Sequence, residues 1–185
     1  MSLVPAFEIG VWNAWIFVLY NFLPMPLLMV LQRGAVQEMQ TPHSEIERRL
    51  YPAMWIVWLL GVFYSVFLPL RLGTVWFYVG FPIAMIGVVS YAAVCASFVT
   101  TPLDTQPLTG GLYRYSRHPM YITQPVMFVG VGIASASWLF LLFAIVYSVP
   151  AFFLAISEER YCLERYGDAY REYMNRTPRW IGIPK

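Results

Sequence analysis

Charge is what this sequence has least of. Asp, Glu, Lys and Arg make up 12% of its 185 residues, against roughly 25% in ordinary soluble domains. So few charges cannot cover a water-facing surface on a chain that is 59% hydrophobic. The composition instead fits an outer surface that meets lipid. A net charge of only +2 leaves no electrostatic footprint for nucleic acid. Cysteine is equally scarce: Cys95 lies in an apolar run and Cys162 in a charged one, so neither a disulfide framework nor metal-ligand spacing is present. The opening stretch "MSLVPAFEIGVWNAW" lacks a basic n-region and carries Glu8, so it does not read as a cleaved signal peptide. No repeat, low-complexity tract or lipidation motif interrupts the chain. A single domain over residues 1–185 is expected.

Hydrophobic runs are abundant. A bilayer core takes roughly 20 apolar residues per helix, and five segments approach that length. The first runs from about Ile9 to Leu31, with Pro24 and Pro26 inside it. The second spans about Ala53 to Leu70, the third about Val75 to Val99. The fourth starts near Pro119 and fades by Ala134, and the fifth runs from Trp138 to about Ile156. Trp12, Trp55, Trp76 and Trp138 stand near segment ends, as interfacial aromatics do. "RLGT" (71–74) joins the second and third segments and "SAS" (135–137) the fourth and fifth, so both pairs should be antiparallel hairpins. Small residues four apart, Ala92/Ala96 and Ala93/Ser97 in the third segment and Gly130/Ala134 and Gly132/Ala136 at the fourth, would let helices approach closely. The expected fold is an all-α integral membrane protein with about five transmembrane helices.

With five spans, every one of the twelve basic residues except Arg71 falls on one face. The positive-inside rule assigns that face to the cytosol, the N-terminus outside and the C-terminus inside. After residue 157 charges alternate with Cys162, Tyr166, Ala169 or Tyr170, and Tyr173. That spacing predicts an amphipathic cytosolic helix ending at Thr177-Pro178, with Gly167 as a possible bend.

Two polar groups share this face. One is the stretch "GLYRYSRHPMY" (111–121), in which Arg117 and His118 immediately precede Pro119. The other is the pair Glu158-Glu159. The short "SAS" link makes the fourth and fifth segments neighbours, so the start of one and the end of the other are adjacent. His118 and both glutamates then face one pocket. Pro119 suits a first helical turn, Ser116 could cap it, and the residue before a proline is driven extended, aiming His118 off the helix axis. A helix N-terminus favours an anion and paired glutamates a cation. A zwitterionic small molecule such as S-adenosylmethionine suits both. Plainer roles fit the same residues: a hydrogen-bonded interfacial histidine, solvated helix-terminal glutamates, and arginines that only set topology.

"GLYRYSRHPMY", followed about forty residues later by "EERYCLERYGDAYREYMNRTPRW", resembles the isoprenylcysteine carboxyl methyltransferases and their phospholipid methyltransferase relatives, over roughly residues 108–180. The resemblance implies S-adenosylmethionine-dependent methyl transfer to a lipophilic acceptor at the cytosolic membrane face. It implies a cofactor site lined by Gly111, Tyr113, His118, Pro119 and Tyr121 from the loop and fourth helix, and by Glu158 and Glu159 from the fifth, Glu159 above all. It gives Arg117 and His118 the catalytic positions, with Arg117 orienting the loop or meeting the acceptor, and requires no metal. Two departures bear on the acceptor. The family's tryptophan before the loop is missing from "CASFVTTPLDTQPLTGG", and "AFFLAIS" lacks the arginine that prenylcysteine-type members carry a turn before the glutamates. A prenylcysteine, a phospholipid amine and a lipophilic thiol therefore stay open. The tail also resembles that of membrane sterol reductases, which use NADPH, and a non-enzymatic membrane scaffold is the remaining alternative. Asn13, Asn21 and Gln124 are the strongly polar amides within the spans, and they trace no ion path.

Overall fold

The computed structural model of the protein describes residues 8–20, 30, 45–101, 103 and 105–184. Among these residues six α-helices form and no β-strand: α1 (Trp15–Tyr20), α2 (Glu45–Val66), α3 (Val75–Thr100), α4 (Met120–Ala134), α5 (Trp138–Tyr166) and α6 (Asp168–Arg176). A 3-10 turn at Gly111–Arg114 interrupts the loop before α4. Helices α2, α3 and α5 are long and apolar enough to cross a membrane. Over their apolar lengths the outward faces carry exposed hydrophobic side chains, Ile56, Leu60 and Phe63 on α2, Ile86 and Val89 on α3, and Leu142, Ile145 and Val149 on α5, while exposed charges such as Arg49 and Glu164 lie toward the helix ends. In water such surfaces would be strongly destabilising; against acyl chains they are not. The protein is an all-α membrane protein.

The expected five spans meet three long helices among the described residues. Helix α4 has 15 residues and rises only about 22 Å, short of a bilayer core of about 30 Å. Of the first expected segment, α1 is a six-residue helix, and positions 21–29 and 31 lie outside the described residues, Asn21, Pro24 and Pro26 among them. The fifth segment also differs from expectation. It does not end near Ile156 to make way for a separate amphipathic helix, but continues unbroken through Glu158 and Glu159 to Tyr166. Nothing in "SEERYCLERY" opposes a helix, and the glutamates favour one. The break comes at Gly167, whose φ of +55° is open to glycine and strained for other residues. Helix α6 then turns back with Tyr170 and Tyr173 buried and Asp168, Arg171 and Glu172 outward.

The most extensive helix pairing is α3 against α4. Its seam is Gly80, Ala84 and Gly87 on α3 against Ala134, Gly130 and Met127 on α4. A Cβ at Gly80, Gly87 or Gly130 would overlap the opposing backbone. The expected Gly130/Ala134 pair thus lies in the seam, but its partners are the glycines nearer the start of α3, not Ala92, Ala93, Ala96 and Ser97. Gly132 lies against Leu141 across the α4–α5 turn. Small residues let the two backbones touch where no hydrophobic force between helices operates in lipid.

One end of the bundle is tied by backbone and neutral side chains. Ala14 N donates to Leu68 O at 2.8 Å, Leu70 N to Trp12 O at 3.0 Å, and Arg71 N to Ala134 O at 2.9 Å. Asn13 is no mid-membrane polar group: its side-chain amide donates to the carbonyls of Glu8 (2.6 Å) and Val66 (2.7 Å), binding the start of the chain to the end of α2. Ser137 caps α5 by accepting from Phe140 N at 3.2 Å. The 135–137 turn reverses the chain as expected, so the start of α4 and the second half of α5 meet at the opposite end.

Candidate functional site

At that opposite end the sequence assembles a charged cluster inside the protein. His118, held just ahead of α4, is buried, and each ring nitrogen faces a carboxylate. Nε2 lies 3.2 Å from Glu159 Oε1, and Nδ1 3.4 Å from Glu158 Oε2. Both glutamates come from α5, on successive residues, so their side chains splay to the two sides of the imidazole. The Tyr121 hydroxyl, on the first turn of α4, donates to Glu158 Oε1, and its ring stacks on His118 at 5.8 Å and 18°. Arg117 Nη2 reaches Glu159 Oε1 at 3.1 Å. Arg179, from the segment after α6, grips the same carboxylate with two bonds, Nε to Oε1 at 3.0 Å and Nη2 to Oε2 at 2.7 Å.

The two glutamates are therefore not equivalent. The Glu159 side chain is 4% exposed and serves three cationic or ionisable partners; the Glu158 side chain is 31% exposed and, among the described residues, meets the Tyr121 hydroxyl and one nitrogen of His118. Burial disfavours a charged imidazole at position 118. The hydrogen bonds from Glu158 and Glu159, with their negative charge, outweigh it and raise the His118 pKa above the usual histidine value. The bidentate bond to Glu159 likewise raises that of Arg179. One donor in the cluster stays unused: Arg117 Nε is buried and has no hydrogen-bond partner, a costly state for a guanidinium N–H.

The segment following α6 seals the cluster. Arg117 N donates to Pro178 O at 3.0 Å and Gly182 N to Tyr115 O at 3.1 Å. Ser116 Oγ donates to Arg179 O at 3.1 Å and accepts from His118 N at 3.0 Å. Ser116 accordingly does not cap α4, whose N-cap is Pro119 and which has no side-chain cap bond; it ties the loop to the tail. Trp180 lies 6.1 Å from the His118 ring and stacks on Phe152 of α5 at 5.9 Å and 20°.

Of the residues singled out in the sequence, the structure brings Arg117, His118, Tyr121, Glu158 and Glu159 into one cluster, with Pro119 opening the helix between them. Gly111 and Tyr113 stand behind it. Gly111 has a φ of +58°, and a Cβ there would press on Ser97 Oγ at 2.7 Å. Tyr113 is buried with Val94, Leu103, Tyr170 and Tyr173, and its carbonyl accepts from the Tyr173 hydroxyl at 2.7 Å. Both shape the loop without touching the glutamates. Arg179 and Trp180 were missed. Their signal, an Arg-Trp pair just after the Thr-Pro helix stop, is visible, but only the return path of α6 shows what it meets.

Three long apolar helices and a buried His–Glu–Arg cluster at the open end of a helical hairpin define a membrane protein with a charged candidate site. The chain belongs to the phospholipid methyltransferase family, whose sequence model matches residues 70–169. That match takes in α3, α4, the loop between them and α5, beginning well ahead of the motifs at 108. It includes every clustered residue except Arg179. The chain is also similar to the nickel-cobalt-cadmium resistance protein NccN of Alcaligenes xylosoxydans xylosoxydans, 35% identical over 89 residues, which are 45% of this chain and 39% of that protein. The match thus spans about two fifths of that protein's length. Among the described residues no group of three or more His, Cys, Asp and Glu stands where it could hold a metal ion.

Proposed function

We propose that this protein transfers a methyl group from S-adenosylmethionine to a lipophilic acceptor at the membrane surface. The observation that carries the reading is the pairing, within one buried cluster, of an open carboxylate at Glu158 with an unpartnered guanidinium N–H at Arg117. One invites a cation or hydroxyl donors, the other an anion or carbonyl. A zwitterionic, hydroxyl-bearing cofactor carries both sets of groups. S-adenosylmethionine, when bound, supplies a methyl group on a positively charged sulfur, already activated toward a nucleophile.

The chain's own residues then align, neutralise and exclude water. Glu158 is placed to hold the cofactor's amine or hydroxyls, and Arg117 Nε its carboxylate. Glu159 is a positioning residue: it fixes Arg117, His118 and Arg179 through its two oxygens. His118 is biased toward its protonated form by both carboxylates, so its first duty is to hold Glu158 in place. Glu158 is also the group placed to take a proton from an acceptor amine or thiol. Trp180 and Tyr121 cover the imidazole and keep water from the cluster. The acceptor class stays a prenylcysteine, a phospholipid amine or a lipophilic thiol, and the positive-inside rule supports a site on the cytosolic face.

Calorimetry of the detergent-purified protein with S-adenosylhomocysteine, then with NADPH, tests the reading. Saturable binding of the first and none of the second is expected. Binding of NADPH alone would return the reductase alternative. Thiol labelling of Leu3→Cys and Ile183→Cys variants in sealed vesicles tests orientation: only the first should react from outside.

A further inference from the structure

The tail that covers the cluster packs on an exposed ring of a helix long and apolar enough to cross a membrane. Phe152 sits on a membrane-spanning helix, is 51% exposed, and lies less than two turns before Glu159. Trp180 stacks on that ring and also meets His118. It therefore stands between the bilayer surface of α5 and the charged cluster. Beyond it, Ile181 and Ile183 are 75% and 89% exposed. A water-facing tail has no reason to present Trp, Ile and Ile in five residues, whereas tryptophan beside arginine is the pattern of a membrane interface. The only ionic anchor of the segment is Arg179 on Glu159, the carboxylate that also holds Arg117 and His118. Backbone bonds from Arg117 and Gly182 and the Ser116 hydroxyl bonded to Arg179 O add to the attachment.

We propose that residues 178–183 form a bilayer-seated gate to the site. Trp180 closes the lipid side by packing on Phe152, Ile181 and Ile183 rest among acyl chains, and Arg179 is the latch. The acceptor's apolar portion enters by taking the place of the Trp180 ring against Phe152, and the same movement loosens Arg179 from Glu159. Recognition is then of an acyl or isoprenoid chain at the α5 surface, independent of the headgroup that receives the methyl. The functional consequence rests on the methyltransferase reading; the membrane seat and the latch do not.

The test uses the full chain in phosphatidylcholine vesicles without cofactor. Trp180 emission is taken as the difference between the native protein and Trp180→Phe. Acyl chains brominated close to the headgroup should quench that difference more than chains brominated near the methyl end. Arg179→Gln, which opens the latch, should increase the quenching, and so should Phe152→Ala, which removes the stacking partner but leaves the charged cluster whole. Quenching by aqueous acrylamide and not by brominated lipid would overturn the seat and give the patch to water or to a protein partner. Lipid quenching unchanged in both Arg179→Gln and Phe152→Ala would overturn the gate. Absence of S-adenosylhomocysteine binding, with lipid quenching as expected, would sink the methyltransferase reading and leave the gate standing.

Discussion

The α4–α5 hairpin has two ends, and they are held by different physics. At the turn, Arg71 N and Ser137 N donate to Ala134 O and Gly132 O, both at 2.9 Å, and the Tyr64 hydroxyl meets Ser137 Oγ at 3.1 Å. All these groups are neutral, and each bond contributes about 1 kcal/mol. At the open end, two arginines, two glutamates and a histidine are drawn together, mostly out of water. Desolvating them costs several kcal/mol per ion and is offset only while every partner stays in place. A chain with so few charges would gain more stability from apolar packing there. The turn end is arranged for holding helices together; the charged end gives up stability to keep five ionisable groups together, the mark of a candidate site.

Breaking that contrast starts with Glu159. Glu159→Ala leaves buried Arg117 without its counter-ion and should cost about 3–5 kcal/mol, read as a steep fall in melting temperature in detergent. At the turn end, Ser137→Ala removes a cap and should cost about 1 kcal/mol. A Ser137→Ala protein melting at or below Glu159→Ala would abolish the distinction. Glu158→Gln sharpens it from the other side. Folding should survive, while S-adenosylhomocysteine affinity falls about tenfold or more with the loss of a charge-assisted hydrogen bond of about 1.5–3 kcal/mol; Glu164→Gln, on the exposed face of α5, should leave affinity unchanged. Equal, small effects of the two would make Glu158 a solvated charge.

Only the charged end should respond to pH near neutrality. The His118 pKa is raised in the folded protein, so the folded form binds its proton more tightly than the unfolded chain does. That stabilisation is complete below the unfolded value of about 6.5 and is lost as pH rises through the folded value. Melting temperature should drop across this window, and His118→Gln should flatten the profile; a variant tracking the native curve would mean another group titrates. Ser116→Ala loses its bonds to Arg179 O and His118 N, a cost of about 1–2 kcal/mol, and by loosening the tail it should raise lipid quenching of Trp180. The smallest effect belongs to the exposed Arg49–Glu45 pair: Arg49→Ala should change neither stability nor affinity measurably.

Much of the site was legible because its information is local. The three-residue turn at 135–137 forces α4 and α5 to be neighbours, so His118 and Glu158-Glu159 had to meet whatever the rest of the chain does. The division of labour between the glutamates was not legible. Adjacent residues on one helix differ only by a rotation of about 100°, and which of them meets Arg179 depends on how α6 returns past Gly167. The glycine seam was half visible: Gly130 and Ala134 carry the small-residue spacing, but α3 offers several such pairs, and only the pairing of α3 with α4 selects Gly80, Ala84 and Gly87. Ser116 looked like a helix cap because capping is a local role; its hydroxyl instead answers a carbonyl 63 residues away.

Composition and periodicity by themselves determined that this is a helical membrane protein, where its hairpins turn, and that its polar residues gather at one end. These follow from the cost of exposing backbone and charge to lipid, which acts residue by residue. Tertiary structure alone decided which carboxylate is buried and which is open, that the Arg117 Nε is left without a partner, and that Trp180 stands between His118 and the Phe152 ring of α5. Those are properties of contacts among segments far apart in the chain, and no local preference encodes them.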